Sequence, residues 1–375
     1  MRRLKKVVVG LSGGVDSAMV VALLKEQGYD VTGVFLECWR APGCRTDEDR
    51  KDALSVALKL KIPFKVLDFK KEYKQKVVDY FYAEYKAGRT PNPDTMCNRE
   101  IKFGLFYDWS LKNGFDYVAT GHYARIQRIR ENPKSKLQIS NKSQNPNCKS
   151  QIEYKLLRGV DKKKDQSYFL YLLRKDQLKK ILFPVGEMTK EEVRREAKKR
   201  KLPVADKPDS QGICFIGPVD VKEFLKKKIK PLKGEVVDTK GKVIGKHEGV
   251  WFYTIGERHG FKIKPEFMKS EMPALYVVSK DVEKNRLVVG SKKEVMSSEF
   301  DVEDVHWINK INSEKLTSKK IKVRIRHGGQ LVRAELRTKN KKLKVMLERL
   351  VFGVAPGQAA VFYSRDVILG GGVIF

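Results

Sequence analysis

The chain has 375 residues, of which 41% are hydrophobic, enough for the cores of two or three globular domains. Lys and Arg number 78 against 46 Asp and Glu, and the net charge of +32 favours a polyanionic partner such as RNA. The alternative is a lysine-rich surface that binds no nucleic acid. No apolar run approaches the roughly 20 residues of a membrane span, and residues 1–6 lack a signal-peptide core. We therefore expect a cytoplasmic protein with no membrane partner.

The first part of the chain alternates between strand and helix patterns. The predicted elements, in chain order, are 7–9 (strand), 18–27 (helix), 30–36 (strand), 47–60 (helix), 64–68 (strand), 70–87 (helix), 98–113 (helix) and 116–120 (strand). Such alternation is typical of an α/β fold with a doubly wound parallel sheet. Sheets of this kind bind ligands at the carboxyl ends of their strands.

A glycine-rich segment, SGGVDS at residues 12–17, joins the first strand to the first helix. Gly13 and Gly14 let the backbone approach an anion, and Ser12, Ser17 and the N–H groups of the helix start can bind it. The lysine of a Walker loop is missing, and Asp16 suggests Mg²⁺ held through a pyrophosphate. The alternative is a strand-to-helix turn without a ligand, but the strand–turn–helix context favours a phosphate-binding loop.

The pattern changes in the second half of the chain. Residues 131–151 are polar and predict a flexible insertion between two strands, and a capping box at 189–192 opens a helix that ends at Arg200. Further predicted elements are a helix at 219–228 and strands at 234–238, 242–245, 250–255, 286–289, 321–325, 332–336, 343–347, 359–363 and 367–369. Short strands at this spacing predict a closed β-barrel. We therefore expect an α/β domain at 1–217, a small mixed domain at 218–283 and a β-barrel at 284–375.

The five cysteines are Cys38, Cys44, Cys97, Cys148 and Cys214. An odd number in a chain without an export signal disfavours a secreted disulfide framework. Cys38 and Cys44 are six positions apart, but no second Cys or His pair with zinc-like spacing follows them. A structural zinc site is therefore not expected.

Two cysteine segments carry a further chemical signal. Cys97 follows two prolines and is expected at or beside a helix N-terminus, where the helix dipole and free N–H groups lower a thiol pKa. Asp94 either exchanges protons with a substrate or caps that helix. Cys214 lies in a turn-rich segment near cationic residues. Taken singly, each cysteine is better explained as a small buried hydrophobic residue than as a nucleophile. Together with the glycine-rich loop, however, the two cysteines form a candidate catalytic set.

Several motifs together resemble a known family. They are SGGVDS (12–17), PNPDTMCNREIKFG (91–104), ATGHYAR (119–125), KDQSYFL (164–170), DSQGICFIG (209–217), YTIGERHG (253–260) and PGQAAVFY (356–363). The chain resembles the bacterial tRNA-uridine 2-sulfurtransferases, or tRNA-specific 2-thiouridylases, in which SGGVDS is the PP-loop of an ATP pyrophosphatase. It departs from the usual family pattern at Glu257, His259 and His327 and in the long insertion at 131–151.

The resemblance implies an enzyme that uses ATP and Mg²⁺ to thiolate the wobble uridine of a tRNA anticodon. The uridine 2-carbonyl oxygen is adenylylated, and sulfur then comes from a persulfide on Cys214. Cys97 resolves that persulfide, and Asp94 is the acid/base candidate. The partner is a persulfide sulfur-relay donor or a cysteine desulfurase. Release of free sulfide and direct persulfide attack, which leaves a disulfide between Cys97 and Cys214, both stay open.

The resemblance also assigns binding residues. They are Gly10, Leu11, Ser12, Gly13, Gly14, Val15, Asp16 and Ser17 for the phosphates, Leu36 and Gly121 for adenosine, Asn92, Pro93 and Asp94 for the flipped uridine, and Lys164, Asp165, Gln166, Arg326 and His327 for tRNA. Asp16 would reach Mg²⁺ through the pyrophosphate, and His122 is expected to be structural.

Two other functions fit part of the sequence. Another adenylylating enzyme of tRNA, such as lysidine synthetase, would share the loop but needs neither cysteine segment. A non-catalytic RNA-binding protein would explain the charge but not the cysteines.

Overall fold

The computed structural model describes residues 3–41, 44–130, 152–209, 212–217, 220–267, 273–309, 321–339 and 342–375. The expected insertion at 131–151, together with Cys148, lies outside these residues. Within them, no helix is both long and apolar enough to cross a membrane.

The described residues contain these regular elements. The strands are β1 (Lys6–Gly10), β2 (Asp30–Glu37), β3 (Phe64–Asp68), β4 (Tyr117–Ala119), β5 (Ala124–Arg130), β6 (Ile152–Arg158), β7 (Ile181–Leu182), β8 (Gly234–Val237), β9 (Val243–His247), β10 (Lys262–Ile263), β11 (Tyr276–Asp281), β12 (Arg286–Gly290), β13 (Met296–Trp307), β14 (Ile321–Arg324), β15 (Val332–Lys339), β16 (Lys342–Phe352), β17 (Ala359–Ser364) and β18 (Val367–Ile374). The α-helices are α1 (Val15–Glu26), α2 (Thr46–Lys59), α3 (Lys70–Tyr73), α4 (Asp79–Lys86), α5 (Pro93–Cys97), α6 (Phe106–Lys112), α7 (Lys190–Lys199) and α8 (Val221–Lys226).

Three sheets organise the chain. The first is parallel, in the order β3-β2-β1-β4-β7, and the second, mixed sheet has the order β10-β9-β8-β12-β11. In the third, β13-β16-β15-β14-β17-β18 close into a six-stranded barrel because β13 also pairs with β18. The hairpin β5-β6 joins that sheet beside β18. The predicted fold class, a doubly wound parallel sheet followed by a small mixed unit and a β-barrel, is confirmed.

The central strand β1 positions the glycine-rich loop. Val7, Val8 and Val9 are fully buried between β2 and β4, as expected for a parallel strand covered on both faces. After β1 the chain proceeds to β2 on one side and later to β4 on the other. The loop at 12–17 therefore lies at the switch point of the sheet, where α/β folds bind ligands.

The helix that carries Cys97 begins earlier than its predicted start at residue 98. Asn92 caps it, because its Oδ1 accepts a hydrogen bond from the Thr95 N–H at 3.1 Å, and Pro93 occupies the first helical position. The helix continues through a π-helical segment, Asn98–Leu105, into α6. A similar π-helical segment, Lys74–Val78, joins α3 to α4 within the predicted helix at 70–87. Such π segments are frequent at functional sites.

Other differences from the sequence predictions lie in the second half. The predicted strand at 250–255 is wrong: the chain forms a short 3₁₀ helix, Val250–Phe252, after Gly249 turns it with a φ of 143°. Strand β12, which we expected in the barrel, pairs with β8 and β11 in the mixed sheet. Strands β11 and β13 were not predicted. The division at 217 and 283 stays a prediction.

The barrel packs against the segment that leads to Cys97. The Thr90 N–H donates to the Pro356 carbonyl at 2.8 Å, and Gln358 donates back to the Thr90 carbonyl at 2.9 Å. Tyr168 donates to the Ala359 carbonyl at 2.9 Å. The barrel therefore borders the candidate site.

Candidate active site

The loop at 12–17 forms a compact anion cradle. The Ser12 N–H donates to Ser17 Oγ at 3.1 Å, and Ser17 Oγ donates to the Gly14 carbonyl at 3.0 Å. Gly13 has a φ of 76°, and a Cβ there would lie 2.2 Å from the Asp49 carbonyl oxygen. In the described part of the chain, the N–H groups of Gly13, Gly14 and Val15 have no hydrogen-bond acceptor. The donors fit a phosphate group.

The two positions assigned to adenosine border this cradle. Leu36 is buried near the carboxyl end of β2. Gly121 follows β4, and a Cβ there would lie 3.0 Å from both Asp16 Cβ and the Ser17 nitrogen. Only a glycine allows the backbone to approach the loop this closely.

Asp16 is paired with a lysine that sequence reasoning missed. Lys190 Nζ lies 2.7 and 2.8 Å from the two carboxylate oxygens of Asp16, and the Tyr123 hydroxyl donates to Oδ1 at 2.7 Å. A second lysine, Lys207, donates to the Gly13 carbonyl at 3.0 Å. Lys190 is 174 positions from Asp16, so no local pattern could reveal the contact. The loop without a Walker lysine is thus supplied with two lysines by distant parts of the chain.

No protein-only metal centre is found among the residues with described placement: no three His, Cys, Asp or Glu side chains cluster there. Mg²⁺ prefers one or two carboxylates together with substrate phosphates. Asp16 at the phosphate cradle fits that second kind of site.

The two predicted cysteines meet. Cys97 Sγ lies 3.3 Å from Cys214 Sγ, although the residues are 117 positions apart. The Cys214 N–H donates to Asp94 Oδ1 at 2.9 Å, and the Tyr73 hydroxyl donates to the Cys214 carbonyl at 2.6 Å. Asp94 is therefore not the helix cap, which is Asn92; it fixes the backbone of the Cys214 segment. Nothing in the sequence pointed to Tyr73.

The two thiols have opposite electrostatic surroundings. Cys97 is the fifth residue of its helix and fully buried, and this burial raises its pKa well above the ordinary value. The expectation that the helix terminus lowers the pKa of Cys97 is wrong for that reason. Cys214 is only partly buried, and the hydrogen bond from Cys97, together with the Lys102 ammonium, lowers its pKa.

Lys102 is a second residue that sequence reasoning missed, although it lies only five positions after Cys97 (102 − 97) on the same continuous helix. Its Nζ lies 5.6 Å from the centroid of the Phe215 ring, next to Cys214. Among the described ion pairs, none includes Lys102. Burial opposes its charge, but Cys214, Cys97 and Asp94 together raise its pKa. The charge of Lys102 therefore faces the thiol pair.

Asp94 is a carboxyl group whose pKa is raised by burial, against the opposing effects of the Cys214 N–H and Lys102. A raised pKa brings its protonation closer to neutral pH, which suits proton transfer. Asn92 and Pro93, the other residues assigned to uridine, begin the same helix.

The positions assigned to tRNA are not all exposed. Lys164 is exposed and pairs with Asp209 at 2.6 Å, while Arg326 and His327 are exposed on a barrel loop. Gln166 accepts from the Tyr123 N–H at 3.1 Å. Asp165 corrects the expectation: it is 2% exposed and accepts hydrogen bonds from the side chains of Arg158 and Arg324 and from two backbone N–H groups. It joins the barrel to the hairpin and offers no surface to tRNA in this conformation.

His327, on the barrel loop after β14, contacts Phe169. Its ring centroid lies 4.4 Å from that of Phe169. Partial shielding of this otherwise exposed ring and the charge of Arg324 lower its pKa, whereas Asp165 and Asp94 act in the opposite direction. His122, in contrast, is buried with Nδ1 2.7 Å from the Thr120 hydroxyl, a geometry that fits the expected structural role.

Family models match three consecutive parts of the chain. They are described as a tRNA methyl transferase HUP domain over residues 5–218, a tRNA methyl transferase PRC-barrel domain over 222–291 and an aminomethyltransferase beta-barrel domain over 297–374.

Curated relatives match along almost the whole chain. The tRNA-specific 2-thiouridylase MnmA of Buchnera aphidicola is 41% identical over 382 aligned residues, covering 100% of this chain and 98% of that protein. The protein of the same name from Listeria monocytogenes is 43% identical, covering 98% of this chain and 94% of its own length. That of Streptococcus uberis is 41% identical, covering 98% and 95%.

Proposed function

Because the chain belongs to the tRNA-specific 2-thiouridylase family, we propose that it is a tRNA-uridine 2-sulfurtransferase that thiolates the wobble uridine of tRNA in the cytoplasm. The observation that carries the proposal is the 3.3 Å separation of Cys97 Sγ and Cys214 Sγ beside Asp94. The net charge of +32 supports a tRNA substrate.

The first half of the reaction uses the phosphate cradle at residues 10–17. The uridine O2 attacks the α-phosphorus of ATP, the bond to the β-phosphate breaks, and pyrophosphate leaves. Ser12, Ser17 and the free N–H groups of the loop would bind the phosphates. Asp16 would hold Mg²⁺ through the pyrophosphate, and that ion would neutralise charge on the leaving group. Leu36 and Gly121 border the adenosine.

The second half uses the thiol pair. Cys214 receives a sulfur atom from a relay donor or a cysteine desulfurase, because its lowered pKa makes it the better thiolate. Sulfur bonds to C2 of the uridine, the C2–O2 bond breaks, and AMP leaves. The Cys97 thiolate then attacks Cys214 Sγ, the bond between that sulfur and the transferred sulfur breaks, and its electron pair stays on the transferred sulfur, which becomes the 2-thiocarbonyl. An external thiol reduces the resulting disulfide between Cys97 and Cys214. The two sulfur atoms must approach from 3.3 Å to about 2.0 Å.

The route through free sulfide uses the same residues in another order. Cys97 attacks the inner sulfur of the persulfide first, the disulfide forms, and the released sulfide attacks C2. Asn92, Pro93 and Asp94 would receive the flipped uridine, and Asp94 would move the proton. Lys164, Gln166, Arg326 and His327 would contact tRNA.

The pair of adjacent cysteines also distinguishes a tRNA 2-sulfurtransferase from another adenylylating enzyme of tRNA. An adenylylating enzyme that uses an amine nucleophile, as lysidine synthetase does, needs the phosphate cradle but no adjacent cysteines. We propose, on the same ground, that residues 1–217 hold all the bond-making chemistry, and that 218–283 and 284–375 serve tRNA binding.

Mass spectrometry of the nucleosides tests the proposal. Unmodified tRNA is incubated with the full chain, ATP, Mg²⁺ and a persulfide donor, a cysteine desulfurase with free cysteine, and is then digested. We expect 2-thiouridine at the wobble position, with AMP and pyrophosphate as the other products. Unmodified uridine, or ADP as the main nucleotide product, would contradict it.

A further inference from the structure

The ammonium of Lys190 is held between two carboxylates at the phosphate cradle. It lies 2.7 Å from Asp16 Oδ1 and 2.9 Å from Asp209 Oδ1, and its side chain is only 11% exposed. A buried lysine of this kind costs free energy unless its partners compensate it. Lys190 therefore places a positive charge beside the loop at 12–17, which has no lysine of its own.

Hydrogen bonds hold the backbone of Lys190 in place, whereas its side chain contacts two carboxylates, Asp16 and Asp209. It is the first residue of α7, whose capping box joins Thr189 and Glu192, and its N–H donates to Asp161 at 3.0 Å. Movement at this position is therefore confined to the side chain.

Each carboxylate keeps a second partner when Lys190 leaves it. The Tyr123 hydroxyl also donates to Asp16, and Asp209 also pairs with Lys164 at 2.6 Å and with Arg194. When Lys190 exchanges partners, neither of these half-buried carboxylates is left without a hydrogen bond, so a third anion can compete for the ammonium.

Asp209 connects this lysine to the sulfur chemistry. It lies five positions before Cys214 (214 − 209) in the same segment. Lys207, two positions earlier, holds the segment to the loop through the Gly13 carbonyl and Asp49. Lys190 thus connects Asp16 in the phosphate cradle with Asp209, which precedes Cys214 in the sequence.

We propose that Lys190 is the phosphate-binding cation of the loop: it leaves Asp16 and Asp209 for the pyrophosphate part of ATP, and its departure releases one of the contacts that hold residues 207–209, which precede Cys214 in the chain. The proposal rests on the proposed use of ATP. One side chain then supplies the positive charge that the loop lacks, and its contact with Asp209 is lost when the nucleotide binds.

Nucleotide binding tests the first half. Calorimetric titration of the full chain with Mg²⁺ and α,β-methylene-ATP, without tRNA, should give about a ten- to hundredfold weaker affinity for Lys190→Met, the loss of one charged hydrogen bond. Lys190→Arg should recover part of it. The control is Lys198→Met on the same helix, which loses only an exposed ion pair with Asp206 and should bind as wild type. An unchanged affinity for a folded Lys190→Met chain would overturn the proposal.

Alkylation of Cys214 tests the second half. Its iodoacetamide rate is measured by peptide mass spectrometry with and without saturating α,β-methylene-ATP. The ratio of the two rates should be about threefold higher in wild type than in Asp209→Asn, the effect of one partly exposed ion pair. Asp206→Asn should match wild type. Equal ratios in wild type and Asp209→Asn would overturn the coupling. Since neither assay contains tRNA, either failure is distinct from a failure to thiolate uridine.

Discussion

The two active-site cysteines are the same residue type in two different kinds of structure. Cys97 lies inside a capped helix, fully buried, and Cys214 lies in an irregular loop, partly exposed and followed by Phe215 at a φ of 65°. Burial raises the pKa of the first thiol, whereas the hydrogen bond from Cys97 and the charge of Lys102 lower that of the second.

The difference in burial and pKa suits the two cysteines to different roles in sulfur transfer. The thiol that meets an external sulfur donor needs access to that donor and a lowered pKa, and of the two thiols Cys214 is the more accessible and the one whose pKa is lowered. Cys97 acts only after Cys214 is loaded, and a protonated, buried thiol is protected from competing oxidants until then. The roles that the family resemblance implies therefore agree with the surroundings of each sulfur.

The largest expected effect comes from removing either sulfur. Cys97→Ser and Cys214→Ser should each lower 2-thiouridine formation by at least about a thousandfold, because a hydroxyl neither carries nor resolves a persulfide at neutral pH. AMP formation can persist, since adenylylation precedes sulfur transfer. Nucleoside mass spectrometry and AMP release are measured on the same samples.

The other cysteines are the controls for that experiment. Cys44→Ser, Cys38→Ser and Cys148→Ser should retain thiolation. Thiolated tRNA from either active-site variant, or an essential Cys148, would show that the pair is wrongly assigned.

The next effect separates proton transfer from the geometry of the Cys214 loop. Asp94→Asn keeps an oxygen that accepts the Cys214 N–H but cannot exchange a proton, so thiolation should fall by about 10²–10⁴-fold. Alkylation of Cys214 should not slow, because removing a negative charge does not raise a thiol pKa. If alkylation slows as much as thiolation, Asp94 only holds the loop.

A smaller effect tests the charge that distinguishes the two thiols. Lys102→Met should raise the pKa of Cys214, so the pH at which its alkylation rate is half-maximal moves upward. Alkylation near neutral pH then slows about tenfold, since only thiolate reacts. Lys102→Arg should restore the wild-type profile. An unshifted profile for Lys102→Met would show that Cys97 alone lowers the pKa of Cys214.

The sequence predicted those features that depend on local pattern. The buried strand before SGGVDS, the loop itself and the cysteine segments follow from composition and spacing within about ten residues. The thiol pair followed only from the family resemblance. Lys190 and Tyr73 could not be found, because the residue that each contacts, Asp16 and Cys214 respectively, is more than a hundred positions away in the chain.

Other failures have a common physical cause, which is tertiary context. The pKa of Cys97 was predicted from helix position, but its burial outweighs the helix dipole. Asp165 was assigned to tRNA by the family resemblance, but its side chain is buried, because two arginines compensate its charge inside the protein. Strand β13 was missed because seven of its twelve residues are polar and do not alternate regularly with apolar ones, and its strand structure depends on pairing with β16 and β18.

The smallest effect concerns the helix that holds Cys97 in place. Asn92→Ala removes the side-chain acceptor for the Thr95 N–H and should lower the free energy of unfolding by about 1 kcal/mol. Asn92→Ser provides another capping oxygen and should recover most of that loss in denaturant titration. Because Cys97 is protected by this helix and Cys214 is not, iodoacetamide should label Cys97 faster in Asn92→Ala while labelling Cys214 at an unchanged rate. Equal acceleration at both cysteines would mean that the two thiols share one opening motion, and that the helix gives Cys97 no protection of its own.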